Sequence, residues 1–206
     1  MVKHTPRIGC FALQGAVEIH RPHIEACGAE FLSVKTPARF EDVDGFILPG
    51  GESTTMLKLI ETFRLWDSLA DNFARKPVWG ICAGTILMAE TVLVNNNLSS
   101  RDQTGGQSET QKSFGLLPIT VLRNGYGTQV ESAQSDIDGY PVSFIRAPVI
   151  QETGDTEILA RHEGAPVWVQ GKGDKAKYMA TTFHPELTMN FPSPMHKKFV
   201  ELVRRS

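Results

Sequence analysis

The sequence predicts an α/β protein: three layers around a mostly parallel, doubly wound sheet, with additional antiparallel strands. Three observations support that class. Short apolar segments of strand length alternate with helix-period segments through the first half of the chain, the pattern of successive β-α-β units. Glycine-rich turns close several of those strands, at Gln14-Gly15, at Pro49-Gly50-Gly51 and on either side of Cys82. Beyond residue 113 the helical period gives way to a series of extended segments. In such a sheet the crossover helices cover both faces, and ligands bind beyond the carboxyl ends of the strands.

Arg7 to Leu13 reads as the first buried strand, broken by Gln14-Gly15. A helix is expected from Ala16 to Cys27, with Ile19, His23 and Cys27 at four-residue spacing and Gly28 at the left-handed stop. Glu30 to Val34 and Phe46-Ile47-Leu48 are the next strands. Ser53 to Trp66 is expected to be helical, with an apolar stripe of Met56, Ile60 and Phe63. Val78 to Ile81 is a strand that passes without a linker into a helix over Ala83 to Leu93. Segment 95–113 is rich in Asn, Ser, Gln, Thr and Gly and has little to bury against its ordering entropy. It reads as a flexible surface insertion. Candidate strands follow at Leu117 to Leu122, Val142 to Ile145, Glu157 to Ala160, Val167 to Gln170 and Lys177 to Phe183. Pro194 to Arg205 is expected to be a capping helix carrying Phe199, Leu202 and Val203. No repeat or linker interrupts the chain, so residues 1–206 are read as a single domain.

At 206 residues, one domain can bury about 70% of the surface its unfolded chain exposes, enough to dispense with a disulfide or metal staple. Lys+Arg 21 against Asp+Glu 23 leaves a net charge of −2, which excludes nucleic-acid or membrane binding by bulk charge. No apolar run approaches the ~18 residues of a membrane-spanning helix. The first residues, Met-Val-Lys-His-Thr-Pro-Arg, lead into a strand rather than a signal core. Three cysteines, an odd count without a CxxC pair, fit reduced thiols and a cytoplasmic location.

The strongest chemical signal is Trp79-Gly80-Ile81-Cys82-Ala83-Gly84, a cysteine at a strand-to-helix junction with glycine two residues before and two after. A sharp elbow needs small neighbours, because the nucleophile occupies a strained backbone position. The junction also sets the sulfur at a helix N-terminus, where the dipole and free N–H groups favour negative charge. The N–H of Ala83 would face an oxyanion. An isolated G-x-C-x-G also fits a buried structural cysteine. A second signal is His184-Pro185-Glu186, where residues two apart in an extended segment point the same way. That places a carboxylate to orient an imidazole as base and acid for a thiol, although a loop histidine beside a solvated glutamate has the same sequence. Third, the glycines of Leu48-Pro49-Gly50-Gly51-Glu52-Ser53 let the backbone approach a ligand and offer N–H groups to an oxyanion. By itself this string is a plain β-to-α turn. It lacks the Lys-Ser/Thr ending of a phosphate loop.

Taken together and in order, Leu13-Gln14-Gly15, Leu48-Pro49-Gly50-Gly51-Glu52-Ser53-Thr54-Thr55, Gly80-Ile81-Cys82-Ala83-Gly84, Arg123-Asn124, Phe144-Ile145-Arg146-Ala147-Pro148 and Phe183-His184-Pro185-Glu186-Leu187-Thr188 resemble the glutaminase subunits of pyridoxal 5′-phosphate synthase. Those are class I, triad-type glutamine amidotransferases with a flavodoxin-like sheet. The likeness runs from about Ile8 to Val203. It implies Cys82 as nucleophile, His184 as base and acid and Glu186 as its orienting partner, with Gly51 and Ala83 supplying oxyanion N–H groups. It implies glutamine binding by Gly51, Glu52, Ser53, Arg123, Ile145 and Arg146, either arginine being chemically able to fork an α-carboxylate. It also implies no cofactor and no metal. Ammonia released from L-glutamine would pass to a synthase subunit, assembled as a dodecameric core, that builds pyridoxal 5′-phosphate.

Two other classes fit parts of the pattern. One is a different elbow-cysteine hydrolase of similar fold, which does not need the PGGES turn together with two arginines. The other is a non-catalytic regulatory subunit, which does not need Cys82, His184 and Glu186 together. The chain departs from the resembled pattern at Gly125-Tyr126-Gly127-Thr128-Gln129 and Ser132-Ala133, where an arginine is expected at Thr128 and an aromatic at Ala133. Cys10 and Cys27 read as small core residues, Trp79 and Trp168 as packing, and Arg204-Arg205 as a solvated helix end. His20 and His23 form an H-x-x-H that lacks a further ligand at matching spacing.

Overall fold

The computed structural model describes residues 4–94, 109–123 and 133–206. The strands are β1 (Arg7–Phe11), β2 (Glu30–Val34), β3 (Gly45–Leu48), β4 (Val78–Ile81), β5 (Ala89–Val94), β6 (Glu109–Thr110), β7 (Leu117–Arg123), β8 (Ala133–Ile137), β9 (Tyr140–Phe144), β10 (Val149–Glu152), β11 (Thr156–His162), β12 (Ala165–Gly171) and β13 (Tyr178–Thr181). The α-helices are α1 (Arg21–Ala26), α2 (Pro37–Glu41), α3 (Ser53–Thr62), α4 (Trp66–Arg75), α5 (Ala83–Met88) and α6 (Pro194–Arg205), with 3-10 turns at Glu18–His20 and Gly173–Lys175.

The central sheet has seven strands in the order β11-β12-β13-β4-β3-β1-β2. The run from β13 to β2 is parallel throughout, and β12 and β11 add to its edge antiparallel. A second sheet, β10-β7-β5-β6, and the hairpin β8–β9 lie outside it. The architecture is the mostly parallel α/β sheet with antiparallel additions that the residue pattern predicts.

Alternation along the strands divides the core in two. Phe46, Leu48 and Val78 enter one side, whereas Ile47, Trp79 and Ile81 enter the other. The first side is covered by Met56, Ile60, Leu69 and Phe73 from α3 and α4, and by Val121 and Ile150 of the second sheet. The second is covered by Ile24 of α1, Phe199 and Val203 of α6, and Val142 and Phe144 of the hairpin. Phe46, Phe73 and Phe199 are fully buried, and burial of each such side chain stabilises the fold by about 1.5–3 kcal/mol.

Several elements differ from expectation. The helix expected over Ala16 to Cys27 is a 3-10 turn followed by α1 from Arg21, so Ile19 falls outside the stripe and is 39% exposed while His20 is buried. Gly28 does take the left-handed conformation, at φ +68°. The helix expected from Ser53 to Trp66 ends at Thr62, before Arg64 adopts φ +53°, and a second, unexpected helix α4 begins at Trp66. The helix expected from Ala83 to Leu93 stops at Met88, and the β-branched run Thr91, Val92 and Val94 belongs to β5. β8 and β10 carry too few buried side chains to stand out in the sequence. Of the expected flexible insertion, residues 95–108 lie outside the described residues. Its end is ordered: Glu109 and Thr110 pair with Val94 and Leu93 of β5.

Candidate active site

The residues singled out by the motifs collect at one edge of the sheet. Gln14 follows β1, Gly50 to Glu52 follow β3, Cys82 follows β4 and His184 follows β13. All lie at the carboxyl ends of parallel strands, and they line a cleft of about 520 Å³. Another cleft, bordered by His4, Asp44 and Pro77 before β1, β3 and β4, lies at the amino ends and is lined by no cysteine.

Cys82 sits at φ +50°, ψ −103°, a conformation that costs a side-chain-bearing residue about 1–3 kcal/mol. The surroundings impose it. Its N–H donates to the Thr181 carbonyl at 2.8 Å, which ties the elbow to β13. A Cβ on Gly80 would lie 2.6 Å from the Gly84 carbonyl oxygen, and one on Gly84 would run into the Leu48 carbonyl. The elbow glycines are therefore required by close packing. The thiol reaches the Ile145 carbonyl oxygen at 3.8 Å. Because α5 is under two turns long, its free N–H groups matter more than a summed dipole. As the first helical residue, Ala83 has an N–H with no intrahelical partner.

His184 is the third residue beyond β13, and its main chain is held by Ser143 of β9: N–H to carbonyl at 2.8 Å one way and 3.3 Å the other. Its Nδ1–H donates to Glu186 Oε1 at 2.7 Å, which leaves Nε2 for the sulfur of Cys82. Pro185 and Glu186 form a turn rather than an extended segment, yet the two side chains meet. Burial works against the imidazolium, but hydrogen bonds to Cys82 and Glu186 prevail and raise its pKa to about 10. Glu186 is fully buried, and burial pushes its carboxyl up. The His184 hydrogen bond and the neighbouring imidazoles overcome that and keep its pKa below the ordinary value. Gly50 makes room for the ring, since a Cβ there would collide with His184 Cε1.

The turn after β3 is braced from three directions. Gln14 Oε1 accepts the Glu52 N–H at 2.9 Å. Glu52 caps α3: its carboxylate accepts the Thr55 N–H at 2.7 Å and the hydroxyls of Thr54 and Thr55. Partial burial raises the Glu52 pKa, but these bonds outweigh it and hold the carboxyl at about 2. Arg123 donates to Glu52 at 2.9 Å and to Gln111 Oε1 at 3.0 Å. Gln111 also accepts the Ser53 hydroxyl at 3.3 Å. Arg146, at φ +45°, is exposed in the cleft and makes no ion pair among the described residues.

Every expected site residue except Glu186 lines the cleft: Gly51, Glu52, Ser53, Cys82, Ala83, Arg123, Ile145, Arg146 and His184. Glu186 stands behind His184. Gln14, Gln111 and Ser143 were not singled out. Only Gln14 lies inside a quoted motif; Gln111 joins Ser53 to Arg123 and Ser143 pairs its main chain with His184, contacts that leave no local pattern. Thr128 lies outside the described residues, and Ala133 opens β8 opposite Phe144. Cys10 and Trp79 are core residues, whereas Cys27 is half-buried. Arg204 is tied down, donating to the Cys27 carbonyl at 2.7 Å. No helix among the described residues is long and apolar enough to cross a membrane.

The site thus sets a cysteine on a strand-to-helix elbow beside a carboxylate-backed histidine, at the carboxyl edge of a mostly parallel α/β sheet. A solved structure described as a glutamine amidotransferase superposes with a TM-score of 0.78 at 33% identity, covering 95% of this chain and 98% of its own. By its match over residues 10–205, the chain belongs to the SNO glutamine amidotransferase family. Curated relatives named pyridoxal 5′-phosphate synthase subunit PdxT include one from Frankia alni, 42% identical over 98% of this chain and 96% of its own. Another, from Thermotoga neapolitana, is 40% identical over 96% of this chain and 100% of its own.

Proposed function

We propose that this chain is the glutaminase subunit of a pyridoxal 5′-phosphate synthase and that it hydrolyses L-glutamine to L-glutamate and ammonia. The observation that carries the mechanism is the line Glu186–His184–Cys82 at the cleft wall, with a 2.7 Å bond at its buried end. With the imidazole held protonated between Glu186 and Cys82, the proton of Cys82 already rests on His184 Nε2, and the thiolate attacks the carboxamide carbon. The tetrahedral oxyanion is received by the N–H groups of Gly51 and Ala83, contacts of a kind worth about 3–4 kcal/mol each. His184 protonates the departing ammonia, leaving a γ-glutamyl thioester on Cys82. Water, deprotonated by the same imidazole, then releases glutamate. Glu186 keeps the ring in the required tautomer throughout.

Arg146 is the guanidinium available to the α-carboxylate of the substrate, because both arms of Arg123 are engaged by Glu52 and Gln111. Gly51, Glu52, Ser53 and Ile145 complete the binding surface. The synthase subunit, assembled as a dodecameric core, takes up the ammonia before it protonates in bulk water. Location in the cytoplasm follows from the reduced thiols and the partner. The test is ammonia release from L-glutamine with and without the synthase subunit, for the wild type and His184→Asn. Release stimulated by the synthase and abolished by His184→Asn is expected. An active His184→Asn enzyme overturns the mechanism, and unstimulated release overturns the partnership.

A further inference from the structure

Behind Glu186, outside the cleft, three histidines are buried that the mechanism does not use. His20, His23 and His196 are 0%, 0% and 1% exposed. They come from the turn before α1, from α1 and from α6, and they meet under the 184–186 turn. The rings of His23 and His196 stack at 4.3 Å, and Trp79 closes the other side of His196 edge-on at 4.8 Å. Burial drives the pKa of His20 down to about 4, against the pull of Glu186, and that of His196 well below the ordinary value. At neutral pH each ring therefore carries one proton, and its position can be deduced.

His23 is fixed first. Its Nδ1 accepts the Ser193 N–H at 3.0 Å, so its proton is on Nε2, 3.4 Å from the Glu186 carbonyl oxygen. His23 thus holds the main chain of Glu186. A second series runs from Ser193 Oγ to His196 Nδ1 at 2.6 Å, and from His196 Nε2 to His20 Nδ1 at 2.9 Å. It ends at His20 Nε2, which is buried with no protein partner. Glu186 Oε2 is buried with no partner either. Each group lies within range of the other's charge. Of the two directions in which the series can run, only one leaves a donor at its end. In that direction Ser193 O–H donates to His196, and His196 Nε2–H donates to His20. The outcome is an N–H where a carboxylate oxygen lacks one. An orphaned buried acceptor is costly, more so when charged, so this direction is favoured.

We propose that His20 is a positioning residue of the triad: the Ser193–His196–His20 series presents an Nε2–H to Glu186 Oε2 across one ordered water. Its effect is to keep Glu186 ionised and its Oε1 aimed at His184, since hydrogen bonds to a carboxylate favour the charged form. The inference rests on the glutaminase reading, in which Glu186 orients His184.

The test is a double-mutant cycle on ammonia release from L-glutamine, measured on the complex with the synthase subunit. His20→Leu is expected to lower kcat about tenfold with KM changed less than about twofold, and His20→Gln, which keeps an N–H donor, to recover most of it. In a Glu186→Gln background, His20→Leu should cost less than about twofold further. Wild-type kcat in His20→Leu, or an equal loss in both backgrounds, overturns the proposal. A second measurement does not depend on the variant folding: nitrogen NMR of the wild-type imidazoles should find the protons of His20 and His196 on Nε2. A proton on Nδ1 of His20 overturns the proposal. If the wild-type complex releases no ammonia, the glutaminase reading itself fails, and the tautomer measurement still decides the hydrogen-bond series.

Discussion

The main chain of His184 is paired with that of Ser143: the His184 N–H donates to the Ser143 carbonyl at 2.8 Å, and the Ser143 N–H returns to the His184 carbonyl at 3.3 Å. The hairpin β8–β9, outside the central sheet, thereby sets the height of the imidazole above Cys82. Two residues further along, Ile145 takes the Cys82 thiol on its carbonyl at 3.8 Å. One strand end thus touches both partners of the reaction through its backbone alone.

Because the contacts of Ser143 with His184 are main-chain, Ser143→Ala should leave glutaminase activity unchanged. Ser143→Pro deletes one N–H and should lower kcat about tenfold, the equivalent of ~1.4 kcal/mol. Steady-state ammonia release on both variants reads the difference. Equal activity of the two would mean that the hairpin does not position His184.

Gly84→Ala should destabilise the fold by about 1–3 kcal/mol, because the new methyl group must displace the Leu48 carbonyl at the root of the elbow. A lowered midpoint in urea with an unchanged slope is the expected result. An unshifted midpoint would show that the elbow has slack.

The elbow was legible in the sequence because steric demand leaves glycines on both sides of Cys82. The parallel strands were legible because they are short, largely apolar and bounded by turns. The break between α3 and α4 was not, since the left-handed residue there is Arg64 rather than glycine. The strand β5 was hidden behind the helix-compatible run Ala83 to Met88. Within the site, Cys82, His184 and Glu186 carry local patterns, whereas Gln111 lay in a segment whose composition reads as loop. His20 and His196 are 176 residues apart, so an H-x-x-H near the N-terminus gave no hint of a third ring.

The two arginines of the cleft should behave differently. Arg146→Ala is expected to raise KM for L-glutamine by about tenfold or more, through loss of a charge-assisted fork on the α-carboxylate, with a smaller change in kcat. Arg123→Ala instead frees Glu52 and Gln111 and should lower kcat and raise KM together. If the effects are exchanged, Arg123 is the carboxylate ligand.

Stability should pass through a maximum near pH 6.5. The buried His20, His23 and His196 have folded pKa values below the ordinary 6.5, so the unfolded chain binds more protons in acid. Their contribution is complete above pH 6.5 and is lost as pH falls towards about 4, by roughly 3 kcal/mol for His20 alone. His184 has the opposite sign. Its folded pKa of about 10 means that its contribution is complete below pH 6.5 and is lost as pH rises towards 10. Urea unfolding from pH 4 to 10 measures both limbs. The alkaline limb of kcat/KM should likewise fall well above that of an ordinary histidine, and Glu186→Gln should move it down. A limb near 6.5 in the wild type would contradict the paired geometry.

The most direct measurement is ammonia release from L-glutamine by Cys82→Ala, assayed beside the wild type in the presence of the synthase subunit. Stimulated release by the wild type and none by Cys82→Ala is the predicted result. Release by Cys82→Ala at the wild-type rate would contradict the assignment of Cys82 as the nucleophile, and with it the whole mechanism.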